Sequence, residues 1–332
     1  MEPSRVMIAL RFLVRRAFHA ILLLFAVSLL TFLFLQLAPG DFLSEMKLNP
    51  QISPETIAAL RQQYGLDDPL PVRYARWLQS VARGEFGHSF AYNRPVAPLL
   101  WERGRNTLML TVAAMGLTWL VAVPLGVWSA ARPKRWPGRT ISAGTVALHS
   151  LPDLLIALLL LMLAVRTRWF ATGGMLSLGF EEMTLGERVK DLLYHFTLPV
   201  VALVLGNLPV VVRHVHAAMA ETLEAPFIRV LRAHGVPEWR VLLRHALPVS
   251  ANPLLSLFGV SFGVLLSQSL IVEVVMTWPG LGPLLLEAVF SRDVYVLIGV
   301  VLASTLLLVL GTLIADCILL WTDPRIRRES AA

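Results

Sequence analysis

The sequence predicts an all-α polytopic membrane protein: six transmembrane helices, with a long outer loop after the first. Three observations carry this. Of 332 residues, 56% are hydrophobic and only 15% are charged, whereas soluble domains carry about 25% charged residues. Six apolar runs reach or approach the roughly 20 residues that cross a bilayer. The basic residues lie between those runs, clustered in alternate links. The formal charge of +7 therefore reads as orientation in a membrane rather than as nucleic-acid binding.

The first run, 18–38, follows Arg5, Arg11, Arg15 and Arg16. That resembles a secretory leader, but leader cores run about 7–15 residues. Gln36-Leu37-Ala38-Pro39 is also unsuited to cleavage, so the run reads as a retained span. The others are 107–131, 141–165, 196–212, 253–276 and 294–320. All are expected to be helical, because lipid offers an open backbone no partner. Pro152 is expected to bend the third. Pro199 and Pro209 interrupt the fourth, which is expected to be kinked or short. The single cysteine, Cys317, excludes an intrachain disulfide and a cysteine-based metal site. Inside the sixth run, it reads as a small core residue.

Four basic segments fall on one side of six spans. They are the N-terminus; Arg132, Lys134, Arg135 and Arg139; Arg213, Arg229, Arg232, Arg240 and Arg244; and Arg325, Arg327 and Arg328. That side is cytoplasmic; Arg166 and Arg168 run against the rule and are outnumbered. The chain then divides into a cytoplasmic start with the first span (1–38), an extracytoplasmic loop (39–106), a membrane core (107–321) containing a cytoplasmic loop (213–252), and a cytoplasmic tail (322–332). In the outer loop, Ser53-Pro54-Glu55 has the pattern of a helix start. That helix is expected to end near Gly65, and 74–78 reads as an amphipathic stretch.

The link 213–252 reads as two short helices around a turn. The first, near 222–234, carries Leu223, Phe227, Val230 and Leu231 at helical spacing. Gly235 stands where a left-handed cap needs glycine. Pro237 opens the second, with Glu238 in its first turn and Arg244 and His245 near its end. Pro248 ends it or kinks the next span's entry. Pattern alone leaves two readings open: an amphipathic loop on the lipid surface, or a knuckle that a partner grips to tilt the bundle. A DNA-binding helix-turn-helix would be tethered to the membrane and is set aside.

Phe227-Ile228-Arg229-Val230-Leu231-Arg232-Ala233-His234-Gly235 resembles the EAA loop of ABC importer permeases, in the branch that handles dipeptides, oligopeptides and nickel. Leu247-Pro248 falls where the wider family has its Leu-Pro. The resemblance runs along nearly the whole chain. It includes Leu37-Ala38-Pro39-Gly40-Asp41, Tyr64-Gly65-Leu66-Asp67-Asp68-Pro69-Leu70-Pro71-Val72-Arg73-Tyr74, and Gly84-Glu85-Phe86-Gly87-His88-Ser89. Arg94-Pro95-Val96, Trp278-Pro279-Gly280-Leu281-Gly282, Arg292-Asp293 and Asp323-Pro324-Arg325 follow in order. Val230 and Leu231 replace the branch's usual Thr-Ala. Pro248-Val249 stands where a basic residue and Asn are frequent.

The resemblance implies a type I ABC importer permease fold, in the bacterial or archaeal plasma membrane, with both termini cytoplasmic. It implies a permease subunit of an ATP-driven, binding-protein-dependent importer of di- or oligopeptides. It places ATPase coupling on Glu224, Phe227, Arg229, Arg232, Ala233, Gly235, Leu247 and Pro248. The implied partners are a second homologous permease, two ABC ATPase subunits carrying ATP and Mg, and an extracytoplasmic solute-binding protein.

His149 and Asp153 are placed at i and i+4 on one face of the third span. Gln268 lies toward the middle of the fifth span, and Glu273 toward its outer end. Ionisable groups in spans are costly and face a cavity or a partner. His149, Asp153, Gln268 and Glu273 are therefore candidate translocation-path residues, with helix-packing hydrogen bonds as an equal alternative. Asp316 reads as structural. No Gly-x-x-x-x-Gly-Lys-Ser/Thr loop occurs, so ATP hydrolysis is expected in another chain. No catalytic residue, metal site or cofactor is expected here. Nothing resembles a protease's nucleophile–base pair or paired aspartates. An ion-coupled secondary transporter is the remaining rival, and it would not need the Gly235 knuckle.

Overall fold

The computed structural model describes residues 3–37 and 68–322, together with Ser53, Glu55, Thr56, Ala59 and Gln62. Its elements are α1 (Pro3–Leu37), α2 (Leu70–Ala82), a hairpin of β1 (His88–Ser89) and β2 (Arg94–Pro95), α3 (Val96–Ala131), α4 (Trp136–His149), α5 (Asp153–Thr167), α6 (Leu185–Glu224), α7 (Pro226–Ala233), α8 (Glu238–Arg240), a π-helical turn (Val241–Ala246), α9 (Leu247–Val249), α10 (Ala251–Val275), α11 (Leu281–Phe290) and α12 (Val294–Thr322). The hairpin sets Ser89 opposite Arg94.

Among the described residues, five helices are long and apolar enough to cross a membrane: Val14–Leu35 within α1, then α3, α6, α10 and Val294–Ile318 within α12. The expected third span is not one helix. It is the pair α4 and α5, bent by 98° at the break between them. Pro152 cannot donate to the carbonyl four residues back, and it disfavours helical backbone at Leu151. Pro152 itself is extended, at φ −60° and ψ 142°. His149 and Asp153 therefore do not share a helical face, which corrects the i, i+4 expectation.

The fourth span differs in the other direction. Expected to be kinked or short, it lies in the middle of α6, an unbroken helix of 40 residues. Both of its prolines are buried, where neighbouring helices can meet the freed carbonyls. A capping box fixes its start: Thr184 N–H donates to Glu187 Oε2 at 2.9 Å. Cys317 is exposed on α12, correcting its reading as a core residue.

The chain divides into two compact units. One comprises 107–278 with the described parts of 1–12 and 308–332. Here α6 is the spine, packed against α4, α5 and α10. Val211, Val212, Val215 and Met219 of α6 form its apolar core with Ala122 and Val127 of α3 and Leu254 of α10. Small residues bring backbones together, as in many membrane bundles. A Cβ at Gly126 would lie 2.5 Å from the Val215 side chain, and one at Gly259 would lie 2.7 Å from Ala315.

The other unit joins the described parts of 13–106 to 279–307. Phe32 of α1, Tyr74 and Trp77 of α2, and Ile298 and Leu302 of α12 form its core. The Tyr74 hydroxyl lies 2.8 Å from Ser28 Oγ. Asp293, fully buried, accepts from Ser89 Oγ at 2.7 Å and Ala91 N–H at 3.1 Å. It also accepts from Val296 N–H at 3.3 Å, in the first turn of α12. This explains why the Gly-His-Ser and Arg-Asp motifs belong together. Asn106 Nδ2 donates to the Pro279 carbonyl at 2.8 Å. Of the helix start expected at Ser53, the hydroxyl does accept from Thr56 N–H at 3.2 Å. Pro54, Gly65, the motif residues 38–41 and 64–67, and the basic tail 323–328 lie outside the described residues.

Candidate functional site

The knuckle is built from chain breaks. α6 stops at Glu224 because Ala225 is extended, with ψ 145°. Pro226 then opens α7, where a missing N–H costs nothing. Gly235 ends it with φ +75°. Gly235 N–H donates to the Arg232 carbonyl at 3.0 Å, and Val236 N–H to the Leu231 carbonyl at 3.1 Å. Those two bonds make a Schellman cap, completed by an apolar pair on its two sides. Leu231 and Val236 supply that pair, both packed on the apolar cluster of α6. A Cβ at Gly235 would meet nothing within 4 Å. The sign of φ, not space, therefore demands glycine there.

The return arm is tied to the first. Arg232 grips Glu238 with two prongs, Nη2 to Oε1 at 2.7 Å and Nε to Oε2 at 3.2 Å. Both side chains are nearly half exposed, at 42% and 49%, so the pair contributes no more than about 1 kcal/mol. Its value is geometric. Burial supplies the strength. Ile228, Val241 and Ala246 are wholly buried against Val215 and Met219 of α6, and burying an Ile or Val side chain stabilises by about 1.5–3 kcal/mol. The π-helical turn precedes Pro248 and widens the coil where proline cannot donate to the carbonyl four residues back.

All the residues expected to couple to an ATPase are brought together here. Glu224, Phe227, Arg229, Arg232, Ala233, Gly235 and Pro248 are exposed, and Leu247 is half-buried. Phe227, Val230, Trp239 and Leu243 give the outer face an apolar surface, and the Arg240 guanidinium lies 5.1 Å from the Trp239 ring centroid. Sequence reasoning missed Glu238 as the partner of Arg232, Trp239 as a surface residue, and Ile228 as the buried anchor. The Ala225-Pro226 step was the available signal, since a proline there restarts a helix. The knuckle's inner side is anchored on α6 by the buried Ile228, Val241 and Ala246.

Of the polar residues of the spans, the structure brings two together. Asp153 opens α5, and its Oδ2 accepts from Gln268 Nε2 of α10 at 3.1 Å. A Cβ at Gly206 of α6 would lie 2.6 Å from Asp153 Oδ1. Glycine there clears the space in which three helices meet, a role the sequence did not reveal. His149 is exposed on the far side of the bend. Glu273 is wholly buried, and its carbonyl accepts from Trp278 N–H at 2.9 Å. Ionisable groups among membrane helices are costly and face a partner or a cavity, so the Asp153 junction calls for an explanation. Among the described residues, no group of three or more His, Cys, Asp or Glu could hold a metal ion.

Residues 122–328 match the family model described as binding-protein-dependent transport system inner membrane component, and 9–111 match its N-terminal companion. The chain is 33% identical over 317 residues to the oligopeptide transport system permease protein AppB of Bacillus subtilis, covering 95% of this chain and 98% of that one. It is 34% identical over 322 residues to a putative peptide permease of Brucella ovis, covering 96% and 99%. It is 32% identical over 319 residues to the glutathione transport system permease protein GsiC of Escherichia coli K12, covering 96% and 99%. A solved structure of the inward-facing methionine ABC transporter MetNI superposes with a TM-score of 0.55 at 19% identity. That match covers 68% of this chain and 96% of the other, and it supports the type I importer permease fold.

Proposed function

The chain belongs to the family of binding-protein-dependent transport system inner membrane components, and from that premise we propose how this permease subunit of an ABC importer works. Its cargo is of the di- or oligopeptide class, as the names of its relatives suggest. It pairs with a second, related permease in a bacterial or archaeal plasma membrane. Two ATPase subunits, which carry ATP and Mg and perform the hydrolysis, grip the two knuckles from the cytoplasm. A solute-binding protein delivers cargo to the opposite face. The basic links and tail support cytoplasmic termini.

The observation that carries this reading is the continuity of α6. One unbroken helix of 40 residues holds Gly206, beside Asp153, and Glu224, where the knuckle begins. At 1.5 Å per residue these are about 27 Å apart along its axis. A displacement of the knuckle is thus felt at the Asp153 junction without an intervening hinge. Glu224, Phe227, Arg229, Arg232, Ala233, Gly235, Leu247 and Pro248 form the gripped surface. His149, Asp153, Gln268 and Glu273 are the candidate path residues. Nucleotide state drives the cycle only if the ATPases bind the two permease conformations with different affinity.

Gly235→Val tests the coupling. A β-branched residue resists φ above zero, so the cap should open while the protein still inserts. ATP-dependent uptake by membrane vesicles, and retention of the ATPase on purification, should both fall sharply. Normal uptake by this variant would remove the knuckle from the mechanism.

A further inference from the structure

We propose that the Asp153–Gln268 junction is a resting site for the ammonium-bearing end of the cargo as it passes through the permease. This rests on the reading of the chain as a peptide-class permease and names what one point on its path would hold.

Charge is the first argument. Helices α5, α6 and α10 pack against one another, and their apolar stretches 153–165, 196–212 and 253–276 contain no Lys or Arg. Arg213, the next basic residue along α6, lies about 10 Å along the axis from Gly206. The N-terminus of α5 helps the Asp153 carboxylate, but a helix end supplies only about half a positive charge. Those three stretches offer Asp153 no basic side chain.

Hydrogen bonding is the second. Gln268 must present Nε2 to the Asp153 carboxylate, because Oε1 there would repel it. That orientation uses the amide's donor side. It leaves Oε1, buried and without a hydrogen-bond partner among the described residues, beside a carboxylate that still has lone pairs to share. The site is rich in acceptors, a combination that suits a compact cation with several N–H donors. A primary ammonium has this form, and a phosphate or a free carboxylate does not.

Access is the third. Asp153 and Gln268 are half-buried rather than sealed. The 98° bend places Asp153 at the first turn of α5 instead of mid-helix. Gly206 lets α6 approach the carboxylate closely; any larger side chain there would press on Oδ1.

The test uses the complete transporter in proteoliposomes, with its partner permease, ATPases and binding protein. The probe is the dipeptide alanyl-phenylalanine with a free amino terminus. Asp153→Asn should lower its uptake about tenfold or more through kcat, while binding-protein-stimulated ATP hydrolysis persists. Asp153→Glu, which restores the charge, should recover most of the uptake. Equal uptake by wild type and Asp153→Asn would overturn the proposal. So would parallel loss of uptake and ATP hydrolysis in both variants, which would make Asp153 a packing residue. If the wild-type complex takes up no peptide, the peptide-class reading itself fails, and this site falls with it.

Discussion

The knuckle after α6 and the bend before α5 are both places where one helix stops and another leaves in a new direction, yet they are built in opposite ways. The knuckle is closed by its own chain. A left-handed glycine, two capping hydrogen bonds and the Arg232–Glu238 pair hold its arms. Ile228 and Val241 bury its inner face. The bend is closed less fully: Ser150 N–H donates to the Val146 carbonyl and Leu151 N–H to the Leu148 carbonyl, both at 3.2 Å, but no left-handed residue caps it. Extended Pro152 separates its helices, and Asp153 reaches across to Gln268 on α10 through one hydrogen bond of 3.1 Å. A locally closed element keeps its shape when pushed. An element held by its neighbours changes shape when they move. Under the proposed coupling, the knuckle transmits force and the bend changes conformation.

Breaking the stiff element should have the largest effect on stability. Ile228→Ala removes a fully buried side chain and should cost about 2–5 kcal/mol. It should appear as a lowered unfolding midpoint in detergent and as weaker retention of the ATPase. Gly235→Val imposes a strained backbone worth about 1–3 kcal/mol; its midpoint should drop less, while uptake falls as far. Gly206→Val acts at the other element. Overpacking there should cost about 1–3 kcal/mol and reduce uptake, with the ATPase still bound. If it released the ATPase instead, the two regions would not be separable. Arg232→Ala should be the mildest, within about 1 kcal/mol, measured as a small midpoint shift that charge reversal of both partners, Arg232→Glu with Glu238→Arg, largely restores.

The limits of legibility follow the same division. Spans came from composition, and Gly235 from the glycine–proline spacing, because both signals are local. Ile228 was hidden by phase. Phe227, Val230 and Leu231 continue the helical spacing of Leu223, but the extended Ala225 breaks that helix and α7 restarts at Pro226. Ile228 then faces inward, and Phe227 and Val230 outward. Pro152 announced a bend but not its 98°, since the angle is set by packing. Pro199 and Pro209 suggested a short span, yet the helix runs on through both, because they are buried among neighbouring helices. The ten-residue α11 is apolar but too short to span, and it lies in the link between the fifth and sixth runs. The meeting of Asp153 with Gln268 and Gly206 depends on three distant segments, which no local pattern reports.

The most direct test places spin labels on cysteines at Arg229 and Leu243, one on each arm of the knuckle, in a Cys317→Ser background that removes the exposed native thiol. A second pair, at Val146 and Leu158, spans the bend. Distances are measured in the complete transporter, nucleotide-free and trapped with ATP and vanadate. The account expects the knuckle distance to stay fixed and the bend distance to shift between states. A knuckle distance that changes while the bend holds still would contradict it.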